Sequence, residues 1–176
     1  MSYTVVPQRS GANTVSSSDW NTYVRDNMAY LFQGRPRTQI IREGSSNYTT
    51  SSTSFVAVDT TNLRITQTIN SGIYKVEAWG IVQHSDTASG AGTELGGRVS
   101  LDFLLNGATR LGGTNGLWTV LQSNNGSAMH AFHISGIYTG ITVGSRTIDL
   151  AWRTSGATAK MFNNAYVIGL IGHEIG

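Results

Sequence analysis

The periodicity of this chain changes once, at Gly34-Arg35-Pro36, and that change limits what each side can fold into. Before it, Trp20, Tyr23, Val24, Met28 and Leu31 recur at the spacing of an apolar helix stripe, with Asn21, Arg25 and Asp26 off the stripe. Ser16-Ser17-Ser18 supplies N-cap hydroxyls and Asp19 a first-turn anion, while glycine followed closely by proline stops the helix. The spacing predicts one helix over about 18–33. A helix that short does not hold by itself in water, so its stripe must pack on something.

After the change, side chains alternate with period two. Runs rich in Val, Ile, Thr and aromatics are separated by Gly/Ser/Asn clusters. Strands are expected at Thr38–Arg42, Phe55–Asp59, Leu63–Ile69, Ile73–Gln83, Val99–Leu105, Leu117–Gln122, Ala128–Tyr138, Arg146–Arg153 and Tyr166–Ile171. The pairs Asn106-Gly107, Asn115-Gly116 and Asn125-Gly126 mark tight turns that need positive φ. Asp86–Gly97, rich in glycine, reads as the longest loop. The predicted class is all-β: a jelly-roll β-sandwich over 37–176, preceded by an N-terminal segment, 1–36, with its one short α-helix.

Composition sharpens the class. Charged residues make up 12% of the chain, against roughly 25% in soluble proteins at large, so its polar surface is hydroxyl and amide. The formal charge is +2, and ten of the twelve cations are scattered arginines, so no run exists to neutralise adjacent phosphates and no nucleic-acid partner is expected. Without cysteine there is no disulfide framework or thiolate metal site. The first residues lack a basic-then-apolar signal, and no stretch reaches the ~20 apolar residues that span a bilayer. The expectation is a protein that stays where it is made, in the cytoplasm, or leaves by assembly or lysis, with no membrane insertion.

Strand faces say more. In Arg146–Arg153, Ile148, Leu150 and Trp152 share one face and Thr147, Asp149, Ala151 and Arg153 the other, the pattern of a half-buried strand. Two strands differ. Ile73–Gln83 sets Tyr74, Val76, Ala78 and Val82 on a core face, with Trp79 and Ile81 opposite. In the last strand Tyr166, Ile168 and Leu170 face one way, and Val167, Gly169 and Ile171 the other. A strand apolar on both faces needs cover from a helix, a loop or another subunit. Trp79, Ile81, Val167 and Ile171 are the outward residues that such cover would meet, and the two-sided pattern is a hint of oligomerisation.

Signals for catalysis are weak. Of His84, His130, His133 and His173, the middle two differ by an odd number in one strand and so point to opposite faces, against a shared metal. Asp59, Glu77, Asp102 and Asp149 fall on different strands, so a glycosidase dyad would have to be assembled in three dimensions. There is no nucleophile elbow, phosphate loop or zinc-protease motif, and Gly90-Ala91-Gly92 lacks the third glycine of a dinucleotide site. Asp86 and Glu94 lack the spacing of a calcium loop. The expectation is a protein without enzymatic activity, metal or cofactor. Tyr48 and Trp118, beside turns, are candidates to stack on sugar rings.

Two stretches carry a resemblance. Ser18-Asp19-Trp20-Asn21-Thr22-Tyr23-Val24-Arg25-Asp26-Asn27 resembles a segment near the N-terminus of small tailed-phage virion proteins. Ser71-Gly72-Ile73-Tyr74-Lys75-Val76-Glu77-Ala78 is similar to the Gly-x-Tyr-x-Val strand of TNF/C1q-like jelly rolls, and Phe132–Ile137 and Tyr166–Ile171 to its later strands. The resemblance implies a homotrimer at the virion surface, a head decoration or fibre or a short tail fibre. Trp20, Tyr23, Val24, Arg25, Met28 and Leu31 would attach it to other virion proteins, and Trp79, Ile81, Val167 and Ile171 would form the trimer interface. A lectin-like module that binds a host-surface glycan is the alternative.

Overall fold

A computed structural model of the chain describes residues 37–84, 98–121, 129–155 and 158–175, and Val24 by itself. The expected helix over 18–33, with Trp20, Tyr23, Arg25, Met28 and Leu31, lies outside the described residues, as do the loop 86–97 and the Asn125-Gly126 turn.

The described residues form β1 Arg37–Arg42, β2 Tyr48–Thr50, β3 Val56–Ala57, β4 Arg64–Ile69, β5 Tyr74–His84, β6 Arg98–Leu105, β7 Thr109–Arg110, β8 Trp118–Leu121, β9 Met129–Tyr138, β10 Gly144–Thr154, β11 Ala159–Met161 and β12 Ile168–Glu174. They make two six-stranded sheets, a β-sandwich. The first runs β1-β12-β5-β11-β2, with β9 also paired to β5. The second runs β3-β10-β6-β7, with β4 on β10 and β8 on β6. β5 is the spine of the first sheet, holding β9 in register from Tyr74↔Tyr138 to Gln83↔Met129 and β12 from Gly169↔Trp79 to Glu174↔Tyr74.

Alternation produces this packing directly. Tyr74, Val76, Ala78, Gly80, Val82 and His84 all face inward and are buried. They meet Leu101, Phe103, Ile148, Leu150 and Trp152 from the second sheet in one core. Gly80 is small for a reason: a Cβ there would meet the Phe132 ring at 2.9 Å. Two buried phenols are tied down, as burial requires. The Tyr74 hydroxyl donates to Gln67 Oε1 at 2.7 Å and the Tyr138 hydroxyl to the Phe103 carbonyl at 2.9 Å. Burial first, then nearby carboxylates, holds both phenols well above the usual range. At the base of β12 the Glu174 carboxylate accepts the backbone N–H groups of Asn70 and Ser71, fastening β12 to the β4–β5 turn.

Asn106-Gly107 is the expected tight turn, with φ of 52° and 72°, the primed geometry that matches strand twist. Gly116, at φ 79°, closes a second turn through its N–H to the Gly113 carbonyl.

Three expectations change. β2, β7 and β11 were not anticipated, because two or three residues carry no readable period. β12 begins at Ile168, so Tyr166 and Val167 lie in the approach to the strand and are exposed. Most instructive is β10, which is not half-buried: Asp149 and Ala151, on its outward side, are 0% exposed. The chain roofs that side itself. Arg64 of β4 reaches over to Asp149, and Asp102 on neighbouring β6 accepts the Gly112 N–H at 2.9 Å from the segment before β8.

Candidate functional site

The two outer faces of the sandwich are unequal. On the second sheet, outward-pointing Ser100, Asp102, Leu104, Asp149 and Ala151 are all buried by the chain's own segments. On the first sheet the outward residues of β5, from Lys75 to Gln83, are only half-buried, and those of β9 are exposed. Ile137 is 48% exposed, Met129 50% and Ile41 58%. This open, largely apolar sheet face is the candidate site.

Register arranges it in rows. One row is Gly169, Trp79 and His133; the next is Ile171, Glu77 and Ser135; a third is His173, Lys75 and Ile137. Toward the other end Ile81 stands opposite Ala131, and Gln83 opposite Met129. Trp79 keeps its half-buried state by lying against Gly169, where any side chain would collide with the indole. The charged members cancel locally, Lys75 Nζ lying 3.1 Å from Glu77 Oε1 on the same strand. An exposed pair of that kind contributes ~0–1 kcal/mol, so the face offers little electrostatic resistance to being covered.

Of the four residues read as subunit contacts, Trp79, Ile81 and Ile171 share this face. Val167 is exposed in the approach to β12, outside the ladder. Of the six residues read as the attachment stripe, Val24 is described only by itself and the others lie outside the described residues. Sequence reasoning missed Met129, Ile137 and Ile41 as members of the face. The signal was present for the first two, since alternation from buried Phe132 and Ile134 puts Met129, Ala131, His133, Ser135 and Ile137 outward.

The titratable groups are placed as follows. His84 is buried, its Nε2 2.7 Å from Thr154 Oγ1. His130 turns inward opposite Val82, and His133 outward opposite Trp79. Among the described residues no three His, Asp or Glu side chains come together to hold a metal. Asp102 and Asp149, read as separate, in fact occupy one face of neighbouring strands, two register positions apart. Both are fully buried, Asp149 held by Arg64 and Asp102 by the N–H groups of Phe103 and Gly112, so neither reaches a substrate. Asp59 accepts hydrogen bonds from Tyr48, Asn62 and the Thr61 N–H. Burial alone would raise this carboxyl, but the donors, Asn62 foremost, win and bring it to about 2.

The two aromatics read as sugar platforms are used internally. Tyr48 packs on the core and donates its hydroxyl to Asp59, and Trp118 packs on the core with its ring 6.0 Å from that of Phe132.

No protein-family model matches the chain, and no curated protein matches it. Among solved structures, a chain in the structure of infectious bursal disease virus, Gx strain, is similar over 80% of this chain and 37% of its own length, with 11% sequence identity and a TM-score of 0.34. This chain thus spans well under half of that one.

Proposed function

We propose that this chain is a structural protein of a bacteriophage virion, a homotrimer whose β-domains pack through the open face of the first sheet and whose N-terminal segment attaches to the particle. The observation that carries the reading is the inequality of the two faces among the described residues: one sheet has its outside roofed by the chain's own segments, whereas on the other Ile137 and Met129 are exposed and Trp79 and Ile81 only half-buried. Apolar patches of this kind on soluble domains mark surfaces meant to be covered, and a second copy of the chain offers a matching apolar, weakly charged surface. Strand order supports a jelly roll. Along the chain β4, β5 and β6 alternate between the sheets, β8 stays beside β6, and β9, β10 and β12 alternate again, so that β1, β12, β5 and β9 share one sheet, and β4, β10, β6 and β8 the other. That interleaving is what two nested Greek keys produce. The Ser18–Asn27 resemblance supports the phage particle and the attachment role.

Light scattering on the full chain tests the assembly: the expected mass is three times 18.9 kDa, and Ile81→Arg or Ile137→Glu should yield folded monomer. A wild-type monomer across a wide concentration range overturns the trimer. Deleting residues 1–36 should leave a folded β-domain that no longer joins particles, and incorporation of the truncated protein overturns the attachment role.

A further inference from the structure

Phe55, in the segment entering β3, has the guanidinium carbon of Arg110 4.8 Å and that of Arg153 5.0 Å from its ring centroid. Register explains the convergence. Arg110 stands opposite Leu104 and Arg153 opposite Ser100, so the two cations start four positions apart along β6 and bend toward one ring.

Neither arginine forms an ion pair among the described residues. Asp149 is taken by Arg64, Glu77 by Lys75, and Asp59 by Tyr48 and Asn62. Asp102, beneath the same face, adds one buried negative charge against two positive ones, and its Oδ1 is occupied by backbone N–H groups.

Stacking on a ring uses the flat faces of guanidinium groups and leaves their N–H edges available. Arg153 commits Nη2 to the Thr114 carbonyl at 2.9 Å and Asn115 Oδ1 at 3.2 Å, which sets its orientation, and Arg110 makes no hydrogen bond among the described residues. Around them Thr53, Ser54, Thr114, Gly107, Ala108 and Leu104 line a cleft of about 370 Å³, the size of small-ligand sites.

We propose that this cleft binds a carboxylate-bearing sugar. Arg110 and Arg153 hold the acid group through charge-assisted hydrogen bonds, and the exposed hydroxyls of Thr53, Ser54 and Thr114 meet the ring hydroxyls. A bare inorganic anion would satisfy the arginines and leave empty the remainder, where the hydroxyls of Thr53, Ser54 and Thr114 stand beside apolar Leu104 and Ala108, a mixed lining that suits the hydroxyl and C–H faces of an acidic sugar better than phosphate. The site lies on the second sheet and depends on neither the trimer nor the particle.

Calorimetric titration of the full chain with sodium glucuronate, glucose and inorganic phosphate tests this. Saturable glucuronate binding near ~1 mM is expected, weakened by salt, with glucose silent and phosphate weaker. Arg110→Gln and Arg153→Gln should each weaken glucuronate binding by roughly tenfold, with thermal melts verifying their folds. Arg146→Gln, on an arginine that bonds only nearby carbonyls, should leave binding unchanged. Absence of saturable glucuronate binding, wild-type affinity in both cleft variants, or phosphate binding as tight as glucuronate overturns the proposal.

Discussion

Trp79 and Gly169 face each other in register across β5 and β12, and the indole fills the volume that a side chain at 169 would occupy. The contact stands at the centre of the uncovered sheet face and explains how a strand apolar on both sides is tolerated: glycine lets the tryptophan fold down onto its neighbour.

Gly169→Ala should therefore lift the indole off the sheet. The expected cost is ~1–3 kcal/mol by the usual penalty for overpacking, read by denaturant unfolding, with a shift of tryptophan emission as the local reporter. If subunits meet on this face, the same variant should also lower the assembled fraction in light scattering.

Arg64 and Asp149 form a bidentate pair at 2.6 and 2.9 Å, with the carboxylate fully buried and the guanidinium partly open to solvent. Arg64→Met strands a buried charge and should cost ~3–5 kcal/mol, whereas Arg64→Met with Asp149→Leu should recover most of that loss. Urea unfolding with an unchanged slope checks both.

Asp59 gives the fold a specific acid sensitivity. Its folded-state carboxyl, at about 2, lies below the ordinary 3.8, so its contribution is complete above about 3.8 and is lost as pH falls toward 2. Asp59→Asn should lower the melting temperature at neutral pH and flatten its dependence on pH across that interval.

Gly116 combines φ of 79° with close approach to the Leu101 carbonyl and to Phe55 Cζ. Gly116→Ala should cost ~1–3 kcal/mol as backbone strain. Because Phe55 must move, the variant should also weaken the arginine cleft, which the glucuronate titration would register.

The alternation over Tyr74–His84 and Met129–Tyr138 made both strands and their inward residues legible, because period two is a local property of the chain. β11 and β7 were not legible, since so short a strand exists only because β5 or β6 offers it a ladder. The converging arginines were equally hidden: Phe55, Arg110 and Arg153 are far apart in sequence, and no spacing rule joins them.

By itself the sequence determined that the described residues from 37 onward form a two-sheet all-β fold, which side chains of β5 and β10 face the core, and where the Asn106-Gly107 turn falls. These follow from backbone geometry acting over a few residues. Only the tertiary structure decided which outer face is covered. Asp149 and Ala151 look like surface residues in sequence and are buried, because Arg64 and the segment near Gly112 arrive from elsewhere in the chain. Ile137 and Met129 receive no such roof among the described residues and stay open. Burial on the second side of a strand is a non-local event, set by which distant segment reaches it.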